Sequence, residues 1–144
     1  MSKGIHLLAG KNPYNDEFPQ FTNNLILEVE SVLGIMNNNV KRTHDDIVDI
    51  DIRLMQKEDE LSETFVNKYL LHFIAYVGEI LINEINGHWV MDFDEESQIW
   101  EPCIKVGEKK VIIAAWVYDG LFNDEVPSLS SVCYILLGQL KLRE

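Results

Sequence analysis

The chain has 144 residues, the usual size of one domain, and is long enough to bury a core without disulfide or metal staples. Hydrophobic residues at 47% against 25% charged place it among globular chains and exclude intrinsic disorder as its class. With 24 acidic and 12 basic residues the net charge is −12, which repels a phosphate backbone, and the densest basic groups are only Lys41-Arg42 and Lys109-Lys110. Nucleic-acid binding is therefore not expected.

Residues 1–19 read as an irregular lead-in, punctuated by Gly4, Gly10, Pro13 and Pro19, with Tyr14 and Phe18 as anchors. The apolar patch Ile5 to Ala9 is interrupted by His6 and is too short for a secretory h-region. From Phe21 the apolar residues Leu25, Val29, Val32 or Leu33, and Met36 recur at helical spacing. Thr22 is the expected N-cap, and Asn37-Asn38-Asn39 the expected stop. A second element starts at Thr43, where Asp45, Asp46 and Asp49 complement the positive end of a helix dipole. Val48, Ile50, Ile52 and Leu54 also alternate with charges as in a strand. The capping signals and the Leu54-Met55-Gln56-Lys57 run favour a helix.

The third helix is expected from about Leu61 to Asn86. Lys68, His72, Ala75, Glu79, Asn83 and Asn86 collapse onto one stripe, and most of the remaining circumference is apolar. Such a helix is central. The charges within Phe65 to Ile85 argue against a membrane span, so a soluble, cytoplasmic protein is expected. Gly78 suggests close approach by a neighbouring element, and Gly87 is the expected C′ residue. After it the period shifts towards two. Trp89 to Phe93, Ile99 to Val106 and Val111 to Tyr118 are strand candidates separated by short turns, which favours an antiparallel meander. Pro102 suggests an edge or a bulge. Pro127-Ser128 opens a last helix with Leu129, Val132, Cys133, Leu136, Leu137 and Leu140 on its apolar face.

Tyr76-Val77-Gly78-Glu79, Gly87-His88-Trp89, Pro102, Val106-Gly107, Ala115 to Tyr118, and Asn123-Asp124-Glu125 with Ser128-Leu129 occur in an order that resembles a family of uncharacterised bacterial domains. That pattern joins a YxGE helix to a glycine-then-tryptophan strand start and closes on a polar turn ending in Ser-Leu. The resemblance covers about residues 61–138. It implies a fold order and no activity.

Glu79 is the sharpest candidate for chemistry, a carboxylate on the same stripe as His72 and Asn83 of an otherwise apolar helix. His72 and Glu79 stand two turns apart, ~10 Å along the axis, beyond mutual hydrogen-bond reach. A pocket at this stripe, with His88 nearby, would make the chain an enzyme or a small-ligand protein. The alternative is that the stripe is a solvated face. The runs Asp92, Asp94, Glu95, Glu96 and Asp45, Asp46, Asp49, Asp51 lack EF-hand spacing. Cys103 and Cys133 sit in no CxxC or Cys/His motif and among apolar neighbours, as core thiols do. No GxSxG, P-loop or GxGxxG is present, so no metal, cofactor or catalytic residue is assigned. Among the tryptophans, Trp89 is expected inside, and Trp100, before Glu101-Pro102, partly exposed as an interaction residue.

The expectation is one α+β domain over residues 1–144, with N-terminal helices, a long central helix, a small antiparallel sheet and a closing helix. The functional expectation is a non-catalytic, intracellular, protein-binding domain that meets a basic partner, as an immunity protein or inhibitor would. A structural subunit of a larger assembly is a further alternative.

Overall fold

The residues that open the first helix do not cap it in the expected way. In the computed structural model, which describes residues 12–36, 42–56, 63–122 and 128–141, a 3-10 helix (Asn15–Gln20) runs directly into helix α1 (Thr22–Val32). Part of the expected irregular lead-in is thus ordered, and residues 1–11 lie outside the described residues. Phe21 occupies the cap position. Thr22 is the first helical residue, and its one hydroxyl proton goes to the Glu79 carboxylate at 2.9 Å, with Pro19 O the more distant acceptor at 3.3 Å.

Helix α1 ends earlier than its apolar spacing suggests. Gly34 at φ +75° takes the left-handed C′ position, with Ile35 N–H donating to Glu30 O at 2.8 Å and Gly34 N–H to Ser31 O at 3.1 Å. This pair of bonds is a Schellman stop, which returns the last carbonyls their partners. Met36, counted on the helical face by spacing, lies beyond it and is 94% exposed, and Asn37-Asn38-Asn39 lie outside the described residues.

Helix α2 (His44–Gln56) follows, and the strand alternative for this segment falls away. Its start is fixed by Asp46, whose carboxylate accepts the Thr43 amide at 2.8 Å, the return arm of a capping box. Helix α3 (Glu63–Ile85) is the central element. Phe73, Ile74, Tyr76, Val77, Ile80 and Leu81 are fully buried, because α3 packs against α1, two later helices and the sheet. The stop is Asn86, at φ +56°, in the place expected of Gly87. Asparagine tolerates this region because its short amide can bond locally.

The sheet is a three-stranded antiparallel meander, β1 (His88–Asp94), β2 (Ile99–Val106) and β3 (Lys109–Ile112), in that order. Trp89 lies opposite Ile104 and Ile104 opposite Val111, so these three share the face turned to the helices. Pro102 sits in the middle strand of three, on the stretch of β2 that β3 leaves unpaired, so its outer side is the edge expected there. Alternation points its nitrogen to the same side as Trp100, away from β1, and β3 pairs only with residues 103–106. No ladder partner is lost there.

The third strand is shorter than its apolar run. Residues from Ala114 onward form helix α4 (Ala114–Phe122), with Val117 N–H donating to Ile113 O at 3.0 Å. Ile113, Ala114, Val117 and Leu121 are all buried, a helical spacing hidden inside a run that is apolar throughout. Trp116 is therefore helical. Helix α5 (Leu129–Lys141) closes the described chain against α2, α3 and α4. Its first turn is capped from a distance: Asp51 of α2 accepts the amides of Leu129 at 2.6 Å and Ser130 at 2.9 Å. The architecture is the expected α+β arrangement with a C-terminal helix.

Candidate functional site

Glu79 is engaged by two donors from two other parts of the chain. Its Oε2 accepts the Thr22 hydroxyl at 2.9 Å and the Trp89 indole N–H at 2.7 Å, so one carboxylate oxygen joins the start of α1, the last third of α3 and the first strand. Trp89 reaches it by packing the outer part of its six-membered ring against Gly78: a Cβ at position 78 would stand 2.0 Å from the indole Cη2. Phe18 meets the same ring edge-on, with centroids 5.3 Å apart. The Gly78-Glu79 pair is thus a seat for one tryptophan, with glycine giving room to the ring and glutamate taking its polar tip.

The rest of the stripe is divided among separate partners. His72 is 9% exposed, its Nε2 is 2.5 Å from Glu28 of α1, and its buried Nδ1 has no partner among the described residues. Tyr69 meets its ring edge-on at 5.1 Å. Asn83 is exposed and donates to Arg42 O at 3.3 Å. His88 is exposed at the start of β1. Trp100 is half-buried and tilts against Phe93 at 5.1 Å, while its carbonyl accepts Asn12 Nδ2 at 2.6 Å. The structure does not gather these five residues around one point. His72 and Glu79 both bond to residues of α1, which makes their part of the stripe a seam between helices. A groove beside α5, lined by Tyr134, Ile135, Leu137, Gly138, Gln139 and Lys141, includes none of them.

A buried ion pair lies behind this seam. Glu30 of α1 accepts Arg42 Nε at Oε2 and Nη2 at Oε1, both at 2.8 Å, and its Oε2 also takes the Tyr76 hydroxyl at 2.7 Å. Side-chain exposure is 4% for Arg42 and 3% for Glu30. The fork-on-fork geometry satisfies both carboxylate oxygens. The bond to Glu30 pushes the Arg42 guanidinium further towards its charged form, and burial together with its own hydrogen bond to Glu30 pushes the Tyr76 phenol well above its ordinary range. Neither the guanidinium nor the phenol is thereby made ready to give up its proton near neutral pH.

The sheet face turned away from Trp89 holds a second polar group. Asp92 lies opposite Glu101, with Cys103 one pair further along β2, and Lys110 reaches across from β3 to Asp92. Glu101 is 4% exposed, and its Oε1 has no partner among the described residues. Burial, reinforced by Asp94 and Asp92, raises its pKa to about 7. Cys103 and Cys133 are buried free thiols, each pushed up to about 12 chiefly by that burial. Thiols so placed are poor nucleophiles. Among the described residues, no group of three or more His, Cys, Asp or Glu is arranged to hold a metal ion, and no helix is long and apolar enough to cross a membrane.

No protein-family model, curated protein or solved structure matches the chain. Its functional reading rests on its own geometry. Spacing alone missed Glu30, Arg42 and Glu101. The one signal for Glu30 was a charge within the apolar face of α1, between Val29 and Leu33.

Proposed function

We propose that the chain is a non-catalytic, intracellular domain that binds another protein through its outer surface, with a basic partner such as an immunity protein or inhibitor would meet. The observation that carries this reading is the engagement of Glu79, the residue best suited by sequence to acid–base chemistry, by Thr22 and Trp89. A carboxylate oxygen holding two donors that pin the fold is poorly placed to exchange protons with a substrate. Two further facts support it: a net charge of −12, and apolar side chains exposed on helices, with Ile52 at 46% and Met55 at 51%. An acidic surface accelerates encounter with a basic protein and suppresses acidic competitors. The likeness of residues 61–138 to an uncharacterised domain family adds no activity to this reading.

Cross-linking in the native cell, followed by purification of the cross-linked protein and calorimetry of the reconstituted pair, tests it. A saturable complex whose affinity falls with salt is expected. Failure of any purified candidate to form a saturable complex counts against the reading.

A further inference from the structure

Helix α2 carries two apolar rows. Ile47, Ile50 and Leu54 are fully buried against the body, whereas Val48, Ile52 and Met55, at spacings of four and three, are 39%, 46% and 51% exposed. Neither helix formation nor the core requires the second row. On one flank, at 100° per residue, run Asp45 and Asp49, both exposed. On the other flank His44 and Asp51 hold the start of α5, through Ser130 O at 3.2 Å and the amides of Leu129 and Ser130. The other two acids of the helix are used within the fold, Asp46 on Thr43 and Asp51 on α5. Asp45 and Asp49 remain as a row of charge beside a row of methyl groups. Arg53, the one Lys or Arg in α2, lies beyond the carboxylates and away from the apolar row.

Resting on the reading of this chain as a protein-binding domain, we propose that this face of α2 docks a basic amphipathic helix of the partner. The partner's apolar residues, repeating every three to four positions, would lie on Val48, Ile52 and Met55, with Lys or Arg beside Asp45 and Asp49. Charge selects this occupant over a second copy of the chain, because two molecules of net charge −12 repel.

The probe is a synthetic helical peptide of about five turns with Leu at helical spacing and Lys elsewhere, titrated into the full 15N-labelled chain. A peptide of the same composition with its apolar face scrambled is the control. Amide shifts confined to residues 44–56 are expected, with the control binding about tenfold more weakly and Ile52→Ser weakening the probe about tenfold. Asp45→Asn with Asp49→Asn should weaken it and flatten the salt dependence. These positions are exposed, so a melting curve close to the parent's is the check that the variants fold.

Shifts centred elsewhere, equal binding of the control, or indifference to Ile52→Ser overturns the assignment. So does a concentration-dependent dimer that Ile52→Ser disperses, since the face then belongs to a second copy. A purified native partner that binds the parent and Ile52→Ser equally also overturns this face, while leaving the protein-binding reading standing. Absence of any saturable partner defeats that reading itself.

Discussion

The indole of Trp89 occupies the space that a side chain at position 78 would fill, and its N–H then lands on the carboxylate of the next residue, Glu79. Gly78 and Glu79 are neighbours in sequence because one tryptophan needs both. Alanine is ordinarily the better helix residue by ~1 kcal/mol. Here the clash reverses the sign, and Gly78→Ala is expected to cost about 2–3 kcal/mol, the scale of overpacking a core. Urea midpoints measure it. In a Trp89→Val background the same substitution should become neutral or stabilising, and a cost that persists there would place the clash elsewhere.

The Glu30–Arg42 pair gives an asymmetric prediction. Arg42→Ala leaves a carboxylate buried with only the Tyr76 hydroxyl of its three bonds, and a loss of about 3–5 kcal/mol is expected. Replacing both partners by apolar residues of similar volume, Glu30→Leu with Arg42→Met, should cost less than the single change. Chemical denaturation of the three variants checks the order.

Glu101 makes stability depend on pH in the direction opposite to a salt-bridged carboxylate. Its pKa is raised from 4.5 to about 7 in the folded chain, by burial first and then by Asp94 and Asp92. Below pH 4.5 the proton is bound in both states. Between 4.5 and 7 the unfolded chain releases it and the folded chain does not, so this contribution to stability falls as pH rises. The loss is about 3 kcal/mol at most and levels off above pH 7. Glu101→Gln removes it. The stability of this variant relative to the parent should grow across that window, and a difference that does not change with pH contradicts the assignment.

Asp51→Ala removes the cap of α5 and is expected to cost about 1–2 kcal/mol, with amide exchange accelerated first at Leu129 and Ser130. Loss of protection spread evenly over the chain would argue that Asp51 acts otherwise.

Features carried by local pattern were legible in the sequence. Helix α3 is apolar on most sides, and the turns around β1 and β2 bear polar or glycine signals, so the central helix, the meander and the closing helix follow from periodicity. The segment Val111–Tyr118 reads as a single strand because an all-apolar run has no period by which to separate β3 from α4. Helix α2 was ambiguous for an instructive reason. The alternation of Val48, Ile50, Ile52 and Leu54 arises because the helix bears an exposed apolar row besides its buried one. The candidate residues were legible as a stripe and not as a site, since their partners are remote in sequence. Glu28 is 44 residues from His72, Thr22 is 57 from Glu79, and Glu30 is 46 from Tyr76.

The role of Glu79 as a tie between helix and strand is tested most directly by a double-mutant cycle of Thr22→Val and Glu79→Met, each close in shape to the residue it replaces, followed by urea denaturation. The hydrogen bond at 2.9 Å predicts that each single change destabilises the fold and that the pair is coupled by about 1–2 kcal/mol. A Glu79→Met variant as stable as the parent, with no coupling to Thr22→Val, would contradict the account and return Glu79 to the residues whose purpose is chemical.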